Sequence, residues 1–278
     1  MKLFKYILTS CIGLQMISCE DIPDYEMQSE PVVEAFLYSG ETVDDIILKK
    51  SSPYNDENDV RTEYIPDADA RILHRDRMYN LTPINGESGH YAYLGNDLVI
   101  AIGDTYILEF EHNGEIVHAE TVIPPLPQNS VISKEGIYVP VIDTPTELRN
   151  FTESFQETID ISWDNSTGEY YYLLIENLEE DPEPINQLDA LAEITENFEF
   201  ISSPTQSNIF SLRATVHYNQ YGRHRVTLYH VNEEYAQLYE STSQDSRDLS
   251  EPYTNIKNGL GIFTGFSSET FYFEVMKE

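Results

Sequence analysis

Asn113 and Gly114 stand between two runs of alternating apolar and polar residues. That dipeptide accepts positive φ at both positions and signals a two-residue type I′ hairpin. The turn sets the register of residues 106–123: His112 opposite Glu115, Phe110 opposite Val117, His118 opposite Glu109. Leu108, Phe110, Val117 and Ala119 then share the core face, while Glu109 and Glu111 face water. Further short runs rich in β-branched and aromatic residues lie at 31–37, 46–48, 68–73, 78–81 and 91–94. Strands so short and so regularly spaced suggest an antiparallel sandwich.

Pro124-Pro125-Leu126-Pro127 cannot continue a sheet and marks a boundary or stiff crossover. A second set of strands follows at 137–142, 158–163, 170–176, 198–201, 209–218, 225–231 and 271–275. Residues 209–218 and 225–231 pair as a hairpin around 219–222, which puts Arg213 and His217 on one strand face. Residues 233–241 read as a helix: Asn232 suits the N-cap, two glutamates the first turn, and Tyr235, Leu238 and Tyr239 one apolar face. Residues 185–195 read as a helical turn or two. Trp163, the single tryptophan, ends Ile-x-Ile-x-Trp, and Tyr-x-Leu-x-Ile follows a turn. This order resembles the early strands of fibronectin type III-like sandwiches, where the tryptophan packs the core. The expected fold is all-β: two tandem antiparallel β-sandwich domains, immunoglobulin- or fibronectin type III-like, with one short late helix. The expected domains are 31–125 and 151–278, joined by a crossover at 126–150.

Residues 1–18 carry Lys2 and Lys5, then an almost wholly apolar stretch, and end at Met16-Ile17-Ser18 before Cys19. A charged start, a short apolar segment and a small residue at the cut describe a signal peptide. Cysteine at the cut resembles a bacterial lipobox, with Met16 where leucine is usual. Leu8-Thr9-Ser10-Cys11 has the same look, but too few apolar residues separate it from Lys5. Lipidation is expected at Cys19. Both cysteines lie within the first 19 residues, so the mature chain has no disulfide to rely on and must be held by its core. Residues 19–30 are polar and acidic and read as a tether. The acid after Cys19 resembles the surface-export signal of Bacteroidota lipoproteins; an acidic linker in an acidic chain fits equally. No later stretch has the ~20 apolar residues of a spanning helix, so the membrane is reached through the lipid.

Against 49 acidic residues stand 16 lysines and arginines, a net charge of −33. Such a surface repels nucleic acid and favours cationic ligands or a partner with a basic face. With 40% hydrophobic residues, 20 tyrosines and 12 phenylalanines, the chain is too apolar for an acidic disordered protein.

The sequence has no G-x-S-x-G, no H-E-x-x-H and no phosphate-binding glycine loop. No enzymatic activity and no cofactor are expected. His118 beside Glu109 lacks the third ligand that zinc needs. The acidic stretches 55–59 and 179–183 lack the alternating spacing of a calcium loop. Two sets of residues stand out as binding candidates. Tyr170 and Tyr172 share a strand face and could stack on a glycan or peptide. Arg213, His217, Arg223, His224 and Arg225 form a basic island, read either as neutralisation of nearby acids or as a site for an anionic group or partner carboxylate.

Residues 251–265 go beyond a generic sandwich. Pro252, Asn255-Ile256 and Gly259-x-Gly261-x-Phe263 resemble the C-terminal signature of a Bacteroidota lipoprotein family, domain of unknown function 4249. In the same order, Val32-Val33-Glu34-Ala35 is similar to the family's opening strand, with Ala35 in place of the usual glycine. Gly103 to Leu108, Thr121-Val122-Ile123-Pro124 and the tyrosine-rich helix follow. The resemblance spans the mature chain. It implies a surface-exposed outer-membrane lipoprotein acting as accessory subunit of a TonB-dependent transporter. A module that binds glycan or peptide by itself is the alternative. It supplies no catalytic residues to carry over.

Overall fold

A computed structural model describes residues 29–51, 62–84, 89–188, 198–242 and 252–278. The signal segment, Cys19, the acidic stretch 55–59 and most of 185–195 lie outside them. The first strands are β1 (Pro31–Tyr38), β2 (Ile46–Lys50), β3 (Glu63–Tyr64), β4 (Arg71–His74), β5 (Arg77–Asn80), β6 (Thr82–Pro83), β7 (His90–Ala92), β8 (Thr105–His112) and β9 (Glu115–Val122). Next come β10 (Gln128–Ile132), β11 (Gly136–Val139), α1 (Pro145–Ser154), β12 (Thr158–Asp164), β13 (Tyr170–Asn177) and β14 (Glu199–Ile201). Last are β15 (Ile209–Arg213), β16 (Gly222–Val231), α2 (Glu233–Thr242) and β17 (Leu260–Lys277).

The β8–β9 hairpin has the register that the turn dictates, with His118 opposite Glu109 and His112 opposite Glu115. Asn113 and Gly114 have φ of 53° and 83°, the left-handed pair of a type I′ turn. With β4 and β5 it forms a four-stranded sheet in the order β5-β4-β8-β9.

A long sheet runs β14-β13-β16-β17-β1-β2-β7-β6, with β11 also on β17 and β3 on β2. A third sheet is β10-β12-β15. The β1–β2–β7 end of the long sheet closes one core with the four-stranded sheet, around Val33, Leu48, Ile72, Tyr106 and Phe110. The β13–β16 end closes a second with the three-stranded sheet, around Ile161, Trp163, Leu173, Val226 and Phe273. The molecule is thus all-β, with two sandwiches that share one sheet.

β17 joins them. Its 18 residues span about 60 Å at the strand rise. Its first part pairs in parallel with β1, from Val32–Leu260 to Tyr38–Phe266. Its last residues pair in parallel with β11, and β16 runs antiparallel to it from 222 to 231. Phe263 accordingly sits in the first core and Phe273 in the second. These parallel pairs were not expected, and β17 starts eleven residues before the expected strand at 271. A boundary at 125 also fails to divide the cores, because Ile256 and Phe263 return to the first.

Residues 126–150 are more than a crossover. They hold β10, β11 and the start of α1, and Ile137, Val139 and Ile142 are buried in the second core. Helix α1 was missed, yet its start is written in Thr144-Pro145-Thr146-Glu147: Thr144 Oγ1 accepts from Glu147 N, and Glu147 Oε2 accepts from Thr144 N. This is a capping box with proline in the first turn. The hairpin expected between 209–218 and 225–231 does not form. β15 pairs with β12, β16 pairs with β13 and β17, and the two lie in different sheets.

The crossover at Pro124-Pro125 is tied beneath the long sheet. Pro125 O accepts from Ser267 Oγ at 2.6 Å and from His230 Nδ1 at 2.7 Å. These donors satisfy a carbonyl that the missing proline N–H leaves outside any ladder.

Candidate functional site

Strand alternation gives the long sheet a second face, turned away from both cores. On β13 the core side carries Tyr171, Leu173 and Ile175, so Tyr170 and Tyr172 point the other way. On β16 the same parity places Arg223, Arg225 and Tyr229 on that outer face. On β1 it places Phe36 and Tyr38 there, and on β17 it places Phe266. Seven rings therefore gather on one face: Phe36, Tyr38, Tyr170, Tyr172, Tyr229 and Phe266 from the sheet, and Tyr235 from α2.

Phe266 is the hub. It stacks on Tyr38 at 5.1 Å and meets Tyr235 edge-on at 5.1 Å, Phe36 at 5.7 Å, and Tyr172 and Tyr229 at 6.2 Å. Tyr172 and Tyr229 stack at 4.7 Å across paired strands. Phe266 and Tyr172 form the buried floor, at 1% and 8% exposure. Tyr38, Tyr170, Tyr229, Tyr235 and Phe36 are half-buried. Asn232 holds the start of α2 in place, its amide nitrogen donating to Val122 O at 2.9 Å and Thr121 Oγ1 at 3.0 Å.

Burial pushes the Tyr38 phenol up to about 12, helped by Tyr229, Tyr235, Glu41 and Asp44 nearby. Burial likewise raises the phenols of Tyr172, Tyr229 and Tyr235. All four stay neutral near pH 7, as hydrogen-bonding groups on large apolar rings. Such a surface can stack and donate; that is the chemistry of recognition.

Four of the six expected binding residues lie on this face of the sheet, but only Tyr170 and Tyr172 belong to the ring cluster; Arg223 and Arg225 sit farther along β16, opposite Glu274 and Glu176. Arg225 is held by Glu176 through two hydrogen bonds of 2.9 Å, and the Arg223 guanidinium lies 4.6 Å from the Tyr272 ring centre. Tyr172 serves as floor rather than open platform. Arg213 and His217 lie elsewhere, at the end of β15. Arg213 is exposed, while His217 is 7% exposed, packed between Phe200 and Phe210, and its Nδ1 accepts from Arg213 N at 2.9 Å. Burial holds the His217 pKa down, so it caps a turn as a neutral ring. His224, fully buried, is held down to about 4 by burial. The basic island is therefore not one site. Trp163 belongs to the second core, 5.3 Å from Tyr171, on the opposite side of the sheet from the ring cluster.

Sequence reasoning missed Phe36, Tyr38, Tyr229, Tyr235 and Phe266. Their parity was visible strand by strand, but their meeting depends on β1 lying beside β17. Among the described residues, no group of three or more His, Cys, Asp and Glu is placed to hold a metal ion. In the 179–183 stretch, Glu179 accepts from Arg223 N and Glu183 pairs with Lys277. No helix among the described residues is long and apolar enough to cross a membrane.

The glycine-rich segment near the end is half loop and half strand. Asn255 bonds Phe263 in both directions, Nδ2 to the carbonyl at 2.7 Å and Oδ1 from the amide at 3.0 Å. Gly261 has φ of 96°, and a Cβ there would lie 2.0 Å from Val33 O. Only glycine lets β17 approach β1 this closely.

A family model described as "Domain of unknown function (DUF4249)" matches residues 21–271. No curated protein matches the chain. Among solved structures, the FN1–FN3 domains of chicken CNTN1 match at 10% identity, covering 89% of this chain and 67% of that one, with a TM-score of 0.25.

Proposed function

The chain belongs to the family described as domain of unknown function 4249, and on that premise we propose that it is a non-catalytic binding subunit of the outer membrane. It is anchored through lipid on Cys19 and serves as the accessory lipoprotein of a TonB-dependent transporter at the cell surface. The observation that carries this reading is the ring cluster centred on Phe266, with half-buried tyrosines above a buried aromatic floor. Tyrosine-rich patches of this kind supply rigid contact area at protein interfaces. Lipid anchoring would raise the local concentration of subunit and partner, so a modest interface suffices.

The test is co-purification. Tagged protein, extracted from native membranes in mild detergent, should carry a transporter in stoichiometric amount. Tyr38→Ala with Tyr170→Ala should release that partner while the melting temperature stays within a few degrees. Retention of the partner by the double variant would sink the role given to this face. If no partner is found, but the purified mature chain binds glycan or peptide and loses that binding in the same variant, the alternative of an autonomous binding module takes its place. Cys19→Ser should abolish palmitate incorporation and move the protein out of the membrane fraction.

A further inference from the structure

A concave site lies away from the ring cluster, where α1 folds back on the exit of β11. It encloses about 290 Å³ and is open on one side. Its floor is apolar: Val141, Ile142, and the rings of Phe151 and Phe155 stacked at 4.7 Å. Its rim carries two carboxylates, Glu147 from the first turn of α1 and Glu278 from beyond β17. The volume sits at the lower limit of the ~300–1,000 Å³ typical of small-molecule pockets, which suits one or two side chains better than an oligosaccharide.

Glu278 is not neutralised by the nearest cation in sequence. Lys277 reaches away to Glu183 at 2.6 Å. Glu147 Oε2 accepts from Asp143 N, Thr144 N and Thr144 Oγ1, at 3.1, 3.0 and 2.9 Å. Hydrogen bonds of this kind favour the charged form of a carboxylate. The groove thus offers an aromatic and aliphatic floor beneath a fixed negative rim, in a chain whose net charge is −33. Long basic side chains match both parts, with an apolar stem and a cationic head.

We propose that this groove seats a lysine or arginine of a peptide segment, its stem against Phe151 and Phe155 and its charged end between Glu147 and Glu278. The site would give the protein a preference for basic segments that the ring cluster does not explain.

The full mature chain, titrated with N-acetyl-Leu-Lys-amide and followed by amide NMR, tests this. Shifts should centre on residues 141–155, with affinity about threefold above that for N-acetyl-Leu-Gln-amide, as an exposed ion pair permits. Glu147→Gln with Glu278→Gln should remove that preference and leave α1 intact, because glutamine also serves a capping box. Phe155→Ala should weaken both peptides alike. Equal binding of the two peptides, a lysine preference that survives the double variant, or no shifts in 141–155 at tens of millimolar peptide would each overturn the proposal.

Discussion

In the first sandwich three histidines face carboxylates near the surface: His74 with Asp104 at 2.9 Å, His90 with Asp45 at 2.7 Å and His118 with Glu109 at 3.1 Å. In the second, His217, His224 and His230 are at most 7% exposed and lie against rings. His224 stacks on Phe273 at 4.9 Å and His230 on Tyr171 at 4.5 Å. Burial pushes all three pKa values down. The same residue type thus hydrogen-bonds a carboxylate in one half and is a neutral core ring in the other. His112 is the exception in the first half, held down by burial with its Nε2 unpartnered. Acidification should therefore strain the second core first, and β17 should transmit that strain to the other.

The largest expected effect tests whether the halves are separable at all. Phe263→Ala in the first core and Phe273→Ala in the second should each cost about 3–5 kcal/mol, the usual range for a buried phenylalanine. Trp163, at 2% exposure in the second core, reports that half by fluorescence. Because one strand serves both cores, Phe263→Ala should lower the denaturation midpoint seen by Trp163 as well. A midpoint unchanged for that variant would show two independent units.

Next is pH. The folded His224 pKa of about 4 lies below its ordinary value of 6.5, so the unfolded chain binds more protons between those limits. Its contribution is present in full above about 6.5 and is lost as pH falls toward 4. The loss is roughly 3 kcal/mol, from 1.36 kcal/mol per pKa unit. The hydrogen bond to Gly222 O and the charge of Glu179 act in the opposite sense but do not reverse the direction. His224→Gln should flatten that slope in urea melts monitored by Trp163. An unaltered slope would place the proton uptake elsewhere.

Gly261→Ala should cost at least about 2 kcal/mol, since positive φ and the clash with Val33 O act together. Hydrogen exchange should show β1 and β2 loosening before β13 and β16. Uniform loosening would mean that the β1–β17 seam is no weak point. The smallest effect belongs to the surface pairs: His118→Ala should change stability by less than about 1 kcal/mol at pH 6. A larger loss would erase the contrast between the two kinds of histidine.

Local signals were readable in the chain. Asn113-Gly114 fixed a hairpin register that the structure reproduces pair by pair. The tyrosine-rich helix occurs as Glu233–Thr242. Helix α1 is legible in Thr144 and Glu147, whose side chains close a capping box inside the segment expected to be a crossover. The basic island reads as one site because three arginines and two histidines lie within thirteen positions. β15 and β16 enter different sheets, and Arg213 parts from Arg225.

The sequence by itself determined which side of each strand is apolar, where the tight turns fall, and that an acidic chain with cysteines only in its first 19 residues depends on burial for stability. These follow from period-2 alternation, turn sterics and residue chemistry, which act over a few neighbours. Tertiary structure decided that β1 lies parallel to β17, more than 220 residues away, and hence that Tyr38, Tyr172, Tyr229, Tyr235 and Phe266 meet. Which strands become neighbours depends on how whole faces bury each other. That free energy is shared among many residues, so no short segment carries it.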